Sequence, residues 1–407
     1  EASRIGRDLK LGRFFLYTNR QINNTNFNNN LLPIIKNEYP QFSYQVLPPP
    51  IVYKKPLKTF TANRIIFYGE LNIDNADIDP DDFNYLNFIG IGSVDKLTVN
   101  EPDEFDFENE SQIEQIPIIN QRSRTFGLSW KRFYKNKNGF FNLSVSNNRL
   151  DNRFERFQNN LSKSNPSFSN ISNEDETKFR FNSNHNSNNY KFSFGGNLQL
   201  SNYSNTTQYD FYNTNYNTKI NFIKYGVFFK SSKTFINDKL GISFGVRLDQ
   251  DSFTEKNNVF ENISPRIALS LKISDDNKWK LNFALGRYFK IPTYTSLGFK
   301  DRDDTFLNKN SKYTRSDHYV GGLEFNWTES SRFTFEAFYK KYNNYPISFV
   351  DEVSIANKGA GFEVLGNERI SSEGKGKSYG LEFLYQQKLK NNFYGILSYT
   401  FFYSKFS

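Results

Sequence analysis

The stretch "LGISFGVRLD", Leu240 to Asp249, decides the fold class. Leu240, Ile242, Phe244, Val246 and Leu248 alternate with Gly241, Ser243, Gly245, Arg247 and Asp249. One face is wholly apolar and the other is polar or tiny. Period two is the signature of a strand, and the contrast between its faces means two different environments. These are either a core and water, or lipid and a wet lumen.

The pattern recurs on both sides. Trp279, Leu281, Phe283 and Leu285 alternate with Lys280, Asn282, Ala284 and Gly286. Phe333, Phe335, Ala337 and Tyr339 alternate with Thr334, Glu336, Phe338 and Lys340, and Tyr379 to Gln386 behaves alike. From about residue 124 onward, twelve such segments are joined by connections that are alternately short and long. The short ones are 135–139, 186–189, 236–238, 274–278, 328–332 and 389–392, rich in the Asn, Asp and Gly that tight turns require. The long ones are expected near 150–176, 202–219, 251–262, 291–316 and 343–376. Short turns at one end and long loops at the other define an up-and-down antiparallel sheet, the plan of an outer-membrane barrel. Greek-key connections would scramble those lengths.

Composition agrees. Apolar residues make up only 37% of the 407 residues, yet aromatics reach 18%, with 44 Phe and 25 Tyr. Disordered chains are poor in aromatics, so disorder is excluded. No run of apolar residues is long enough for a membrane helix, but barrel strands alternate and escape that test. Segments of nine to twelve residues suit a tilted membrane strand, and aromatics near their ends (Tyr319, Trp327, Tyr399, Tyr403) resemble interfacial girdles. The net charge is +9, but Lys and Arg are spread along the chain without a basic stripe, which argues against nucleic acid. Cys is absent, so thiol chemistry and disulfides are excluded. Before residue 124 the pattern is less regular: 83–99 reads as a strand with 63–71 as its hairpin partner, and the prolines of 47–56 make a loop.

Several stretches, in order, resemble the TonB-dependent outer-membrane receptors, in particular the subgroup with a carboxypeptidase-regulatory-like N-terminal domain. They are "FIGIGSVDKLTVNEP" (88–102), "ISPRIALSL" (263–271), "LNFALGRYFKIPTYTSLGFKD" (281–301), "SDHYVGGLEF" (316–325), "EAFYKKYNNYPISF" (336–349) and "GKSYGLEFLYQQKLKNNFYGILSYTF" (376–401). The resemblance implies an all-β fold, a large antiparallel transmembrane barrel of 22 strands around a plug, in a Gram-negative outer membrane. It also implies active uptake energised by a TonB-type inner-membrane partner through an N-terminal region, with no enzymatic chemistry. Only part of that barrel is expected here. Residues 61–407 read as barrel, incomplete at the C-terminus, and 1–60 as either a plug remnant or the first strands. A passive porin is the alternative function, and an outer-membrane enzyme a more distant one. The ligand, whether small molecule, glycan or peptide, is left open, as is a surface lipoprotein partner.

Candidate site residues follow from the faces. Arg287, Tyr288, Lys290 and Tyr294 gather aromatic and basic groups where a strand exits into a long loop, a rim that can touch a ligand. The competing reading is a structural signature of the strand end. Glu324, Glu336 and Glu382 are expected to point inward as a carboxylate row, for a plug or a cationic ligand, against ordinary polar lining. Asp74, Asp77 and Asp79 offer closely spaced oxygens for Ca2+, against a solvated loop. His185 and His318 read as loop and strand-end residues, and no other metal site or cofactor is expected.

Overall fold

In the computed structural model the described residues are 10–18, 43–46, 60–74, 84–99, 113, 116–134, 138–209, 214–255, 258–274, 276, 278–358, 365–390 and 392–407. Up to residue 74 only the backbone is described. The strands are β1 (Lys10–Thr18), β2 (Ser43–Val46), β3 (Phe60–Asp74), β4 (Asn84–Val99), β5 (Ile118–Phe133), β6 (Gly139–Asn159), β7 (Ser164–Ser187) and β8 (Tyr190–Tyr209). They continue with β9 (Thr214–Phe235), β10 (Leu240–Asp251), β11 (Ser264–Lys272), β12 (Trp279–Lys290), β13 (Thr314–Thr328), β14 (Ser331–Ser348), β15 (Ile370–Lys390) and β16 (Phe393–Phe406).

All sixteen lie in one sheet, and from β3 to β16 each strand pairs with the next. That stretch is a strict antiparallel meander, the partial barrel that the alternating connections predict. The hairpin of β3 and β4 is present as expected, pairing Phe60 with Val99 through to Asp74 with Tyr85. Upstream, β1 pairs antiparallel with β3 and parallel with β2. No helix among the described residues is long and apolar enough to cross a membrane.

All six short connections fall where the sequence puts them. Several use residues at positive φ, among them Asn188, Asn237, Asp238 and Asn392. Two of the long connections do not exist as loops. Residues 150–176 and 202–219 are mostly strand, in continuous register from Arg156–Phe168 back to Gly139–His185, and from Tyr209–Thr214 back to Tyr190–Lys233. Their inward Asn and Thr, among them Asn170, Asn205, Thr207 and Thr218, are buried, so polar content here does not mean the absence of a ladder. Strands β6 to β9 therefore run to 20–24 residues and project past the apolar band. The other long connections, after β10, β12 and β14, are loops as expected.

Register sorts the faces. Directly opposed residues share a face, and the chain of pairs Phe244–Ile267–Leu285–Tyr319–Tyr339–Tyr379–Tyr403 is an apolar row across seven strands. Phe244, Leu285, Tyr319, Tyr339, Tyr379 and Tyr403 are all exposed, though large and apolar. A water-facing protein does not carry so broad an apolar surface, whereas a lipid-facing wall requires it. The even residues of 240–248 thus lie on the lipid side. The other face, with Gly241, Ser243, Gly245 and Arg247, is concave and polar, and a compact apolar cluster sits on it, near the long-loop end.

Candidate functional site

The inner wall has three districts. The first is at the long-loop end, where the connection after β12 folds inward. Its only helix, α1 (Tyr294–Leu297), is a single turn capped by the Thr293 side chain. Leu297 is fully buried and Tyr294 nearly so, packed on Tyr203, Ile220 and Phe222 of β8 and β9, with Phe253, Ile291 and Phe306 alongside. The Tyr294 hydroxyl donates to the Glu176 carboxylate and contacts the Lys224 ammonium, with Ser201 at 3.2 Å and Gln199 at 3.3 Å. Tyr216 and Thr218 both donate to the Gly298 carbonyl, at 2.8 and 2.5 Å. Asn308 ties the same loop to the connection after β14, donating to the Ser296 and Glu368 carbonyls at 2.7 and 2.8 Å. Asp251, also buried, gathers the Phe253 and Thr254 amides, the Thr254 hydroxyl and the Tyr313 hydroxyl within 2.8 Å.

These contacts hold both phenols neutral. Burial, then the Glu176 carboxylate, pushes Tyr294 well above the ordinary tyrosine range; burial and Asp251 do the same to Tyr313.

The second district is basic. Lys178, Arg180, Asn182, Asn197, Gln199 and Arg247 line a cavity of about 420 Å³ midway along β7 to β10. Arg247 also borders a neighbouring cavity of about 460 Å³ that reaches Lys230, Arg266 and Tyr288. Arg247 is held by Asp249 at 2.5–2.6 Å and by Asn197 at 2.6 Å, and Arg266 lies over the Tyr288 ring at 4.2 Å. Fixed cations on a wet concave wall suit an anionic surface or ligand.

The third is acidic. Glu336 and Glu382 are directly opposed on β14 and β15, and Glu336 borders a groove of about 610 Å³ with Asn282, Ser270 and Gly322. Glu324 stands one row away, neutralised by Lys280 at 3.3 Å and Arg332 at 3.9 Å.

The candidate residues read from the sequence thus divide. Tyr294 is a buried anchor of the inward loop. Tyr288 faces the lumen, stacked against His318 at 4.5 Å. Lys290 is exposed at the end of β12. Arg287 lies on the outer face, ion-paired to Asp317 at 2.7 Å. Of the three glutamates, register brings Glu336 and Glu382 together and leaves Glu324 apart. Asp77 and Asp79 lie outside the described residues, as does the side chain of Asp74. Among the described residues no three His, Cys, Asp or Glu groups converge as metal ligands. Each histidine bonds a nearby serine at 2.7 Å, His185 with Ser183 and His318 with Ser316. Aromatic rings fill the space beside both, Tyr134 and Phe192 for His185 and Tyr288 for His318.

Glu176, Gln199, Ser201, Lys224, Asp251 and Tyr313 were not singled out in the sequence. Glu176, Gln199, Ser201 and Lys224 share inward parity on long polar strands, whereas Asp251 ends β10 and Tyr313 just precedes β13; no local spacing links Glu176 to Tyr294, 118 residues away.

No curated protein matches the chain by sequence. Among solved structures it is similar to the alcaligin outer-membrane receptor FauA from Bordetella pertussis, at 14% identity and a TM-score of 0.54, covering 85% of this chain and 54% of that one. It is also similar to the ferripyoverdine receptor of the Pseudomonas aeruginosa outer membrane (10%, TM-score 0.58, 85% and 50%). The ferric yersiniabactin uptake receptor FyuA from Yersinia pestis is comparable (13%, TM-score 0.57, 85% and 52%). At such identities the likeness is one of fold, and the chain spans about half the length of these relatives. The family model described as TonB dependent receptor-like, beta-barrel, matches residues 58–407. The chain therefore belongs to the TonB-dependent receptors, and residues 58–407 are β-barrel of this outer-membrane family.

Proposed function

We propose that this chain is the wall of a receptor that imports a ligand across the outer membrane by TonB-energised transport. The observation that carries the reading is the inner wall itself. Its long-loop end carries a loop docked inward on β8 and β9, and its middle presents fixed charges of both signs instead of an open, uniformly hydrated pore. In the proposed mechanism the long loops capture the ligand. Lumen-facing Tyr288, with Lys290 at the rim, contacts it. The basic and acidic districts hold a plug until the inner-membrane partner rearranges it. Ligands of the similar receptors, ferric siderophores, are one candidate class, and a surface lipoprotein is a candidate partner. Ca2+ at Asp74, Asp77 and Asp79 is a further candidate.

A passive porin would differ in conductance. The receptor extracted with detergent from outer membranes and placed in a planar bilayer is expected to show no steady ion current. A stable open-channel current from the same preparation would overturn active transport in favour of a porin.

A further inference from the structure

We propose that the inner wall of β9 to β14 carries a sloping track for a ligand bearing several carboxylates. The track is a row set by register. Lys230, Gly245, Arg266, Gly286, His318 and Lys340 are directly opposed on successive strands. Small polar residues continue the row, Ser378 and Ser404 beyond Lys340, and Ser193 and Asn184 beyond Lys230. It contains no carboxylate. Lys230 and Arg266 are exposed and Lys340 is half-buried, and none of the three has an acidic partner among the described residues. Cations nearby on the same wall differ. Arg247 is held by Asp249, Lys178 and Lys224 by Glu176, and Lys280 by Glu324.

A row of opposed residues runs perpendicular to the strands, and barrel strands tilt, so the row climbs the wall. Counting from the short-turn end gives the climb. Lys230 is five residues above Phe235, the end of β9. Arg266 is six above Lys272, the end of β11, and Lys340 is nine above Ser331, the start of β14. The difference of four residues is about 10 Å of height at the usual rise and tilt. The cations thus step down from the long-loop end toward the middle of the wall. Ser193 and Asn184 carry the row lower still, each three residues from the turn between Ser187 and Tyr190.

The spacing suits a ligand with more than one charge. Lys230 and Arg266 are two strands apart and Arg266 and Lys340 three, roughly 10 and 14 Å. One carboxylate cannot bridge such gaps, whereas a ligand with several can hold one cation while reaching the next. The floor between them is open. A Cβ at Gly245 would meet nothing closer than 3.5 Å, and a cavity of about 460 Å³ spans Lys230 to Tyr288. At Gly286 a Cβ would lie 2.9 Å from the Tyr288 ring, so glycine is what lets that ring lie against the wall. The ring sits between Arg266, at 4.2 Å, and His318, at 4.5 Å. Stacked in this way, the Arg266 guanidinium presents an N–H edge that matches a carboxylate bidentately. The proposal rests on the import reading, in which a plug leaves this wall before the ligand passes.

The test uses the full receptor, extracted with detergent from outer membranes and placed in a planar bilayer, with its plug unfolded by urea. Hexaglutamate and hexagalacturonate, which carry carboxylates on a peptide and on a sugar backbone, are the probes, and hexaserine is the uncharged control. Wild type is expected to show current blocks with the acidic probes and none with hexaserine, and the blocks should shorten in high salt. The longer block identifies the backbone that the track fits. Lys230→Gln, Arg266→Gln and Lys340→Gln together should shorten the blocks about tenfold. Lys230→Gln with Lys340→Gln, which leaves the Arg266 stack intact, should shorten them less. A variant of equal charge change off the row, Lys178→Gln, Lys272→Gln and Lys280→Gln, should match wild type. Heat-modifiable gel mobility confirms that each is folded. Equal block times in wild type and the triple row variant would overturn the proposal, as would an equal loss in the off-row variant. So would a row variant that leaks before urea yet blocks normally after it, because the row would then dock an acidic face of the plug. Steady current from wild type before urea contradicts the import reading, and the block times then still decide the track.

Discussion

Tyr294 shows how much one side chain can fix. Its ring fills the apolar cluster on β8 and β9, and its hydroxyl joins Glu176 and Lys224, two charges that face each other across the inner wall. Tyr313 does the equivalent work at Asp251. Both phenols titrate above the ordinary value in the docked loop. Folding therefore favours their protonated form. Docking stability is fully present below the ordinary tyrosine value near 10 and is lost as pH rises through the raised values. The prediction is spectroscopic. The tyrosinate absorbance of wild type minus that of a Tyr294→Phe, Tyr313→Phe variant should rise with a midpoint above pH 10. A difference midpoint at the free-tyrosine value would show the phenols to be solvated. The sequence made Tyr294 visible as part of an aromatic and basic rim, but its burial was not legible, because its partners come from strands far away in the chain.

At the scale of elements, the alternation of apolar and polar residues was enough to place β10 to β16 and every short turn. It failed at the ends of β6 to β9. There both faces are rich in polar residues, the inner one burying Asn170, Asn205, Thr207 and Thr218, so the two-sided contrast that reveals a strand disappears, and Asn- and Ser-rich segments such as 164–176 read as loop. One turn carries strain that can be measured. Ile236, Asn237 and Asp238 all have positive φ, at 55°, 50° and 63°. Asn and Asp tolerate that region, whereas a β-branched residue does not. Ile236 is 67% exposed, so little packing offsets the cost. Ile236→Gly is expected to stabilise the β9–β10 hairpin by about 1 kcal/mol, read as slower hydrogen exchange at the Lys239 amide, which donates to the Ile236 carbonyl. A second strain is electrostatic. Glu336 and Glu382 are opposed on neighbouring strands, so Glu336→Gln should stabilise the β14–β15 pairing by about 0.2–1 kcal/mol at neutral pH and low salt. The gain should fade in high salt, which screens the repulsion; a gain that persists there would have another origin.

At the scale of the whole molecule, the charge pattern carries the lesson about legibility. Along the chain, Lys230, Arg266 and Lys340 are dispersed over more than a hundred residues, and the sequence shows no basic stripe. Antiparallel register turns that dispersion into a single row, because each strand contributes one residue to it. The same operation aligns the tyrosines on the outer wall and collects Lys178, Arg180 and Arg247 on the inner wall. The two-faced strand was readable from ten residues; what each face recognises was not, since it depends on which strands stand side by side.

The central claim is that neighbouring residues on one strand face lipid and lumen in turn, and β14 tests it directly. The chain contains no cysteine, so single spin labels can be attached without a background. Phe335→Cys, Glu336→Cys and Ala337→Cys, each labelled in the receptor embedded in bilayers, would be probed for collision with lipid-soluble oxygen and with a water-soluble nickel chelate. The account predicts that labels at Phe335 and Ala337 meet oxygen and are hidden from nickel, and that the label at Glu336 is shielded from the lipid. Equal access of nickel to all three positions would contradict it, because that wall would then have water on both sides.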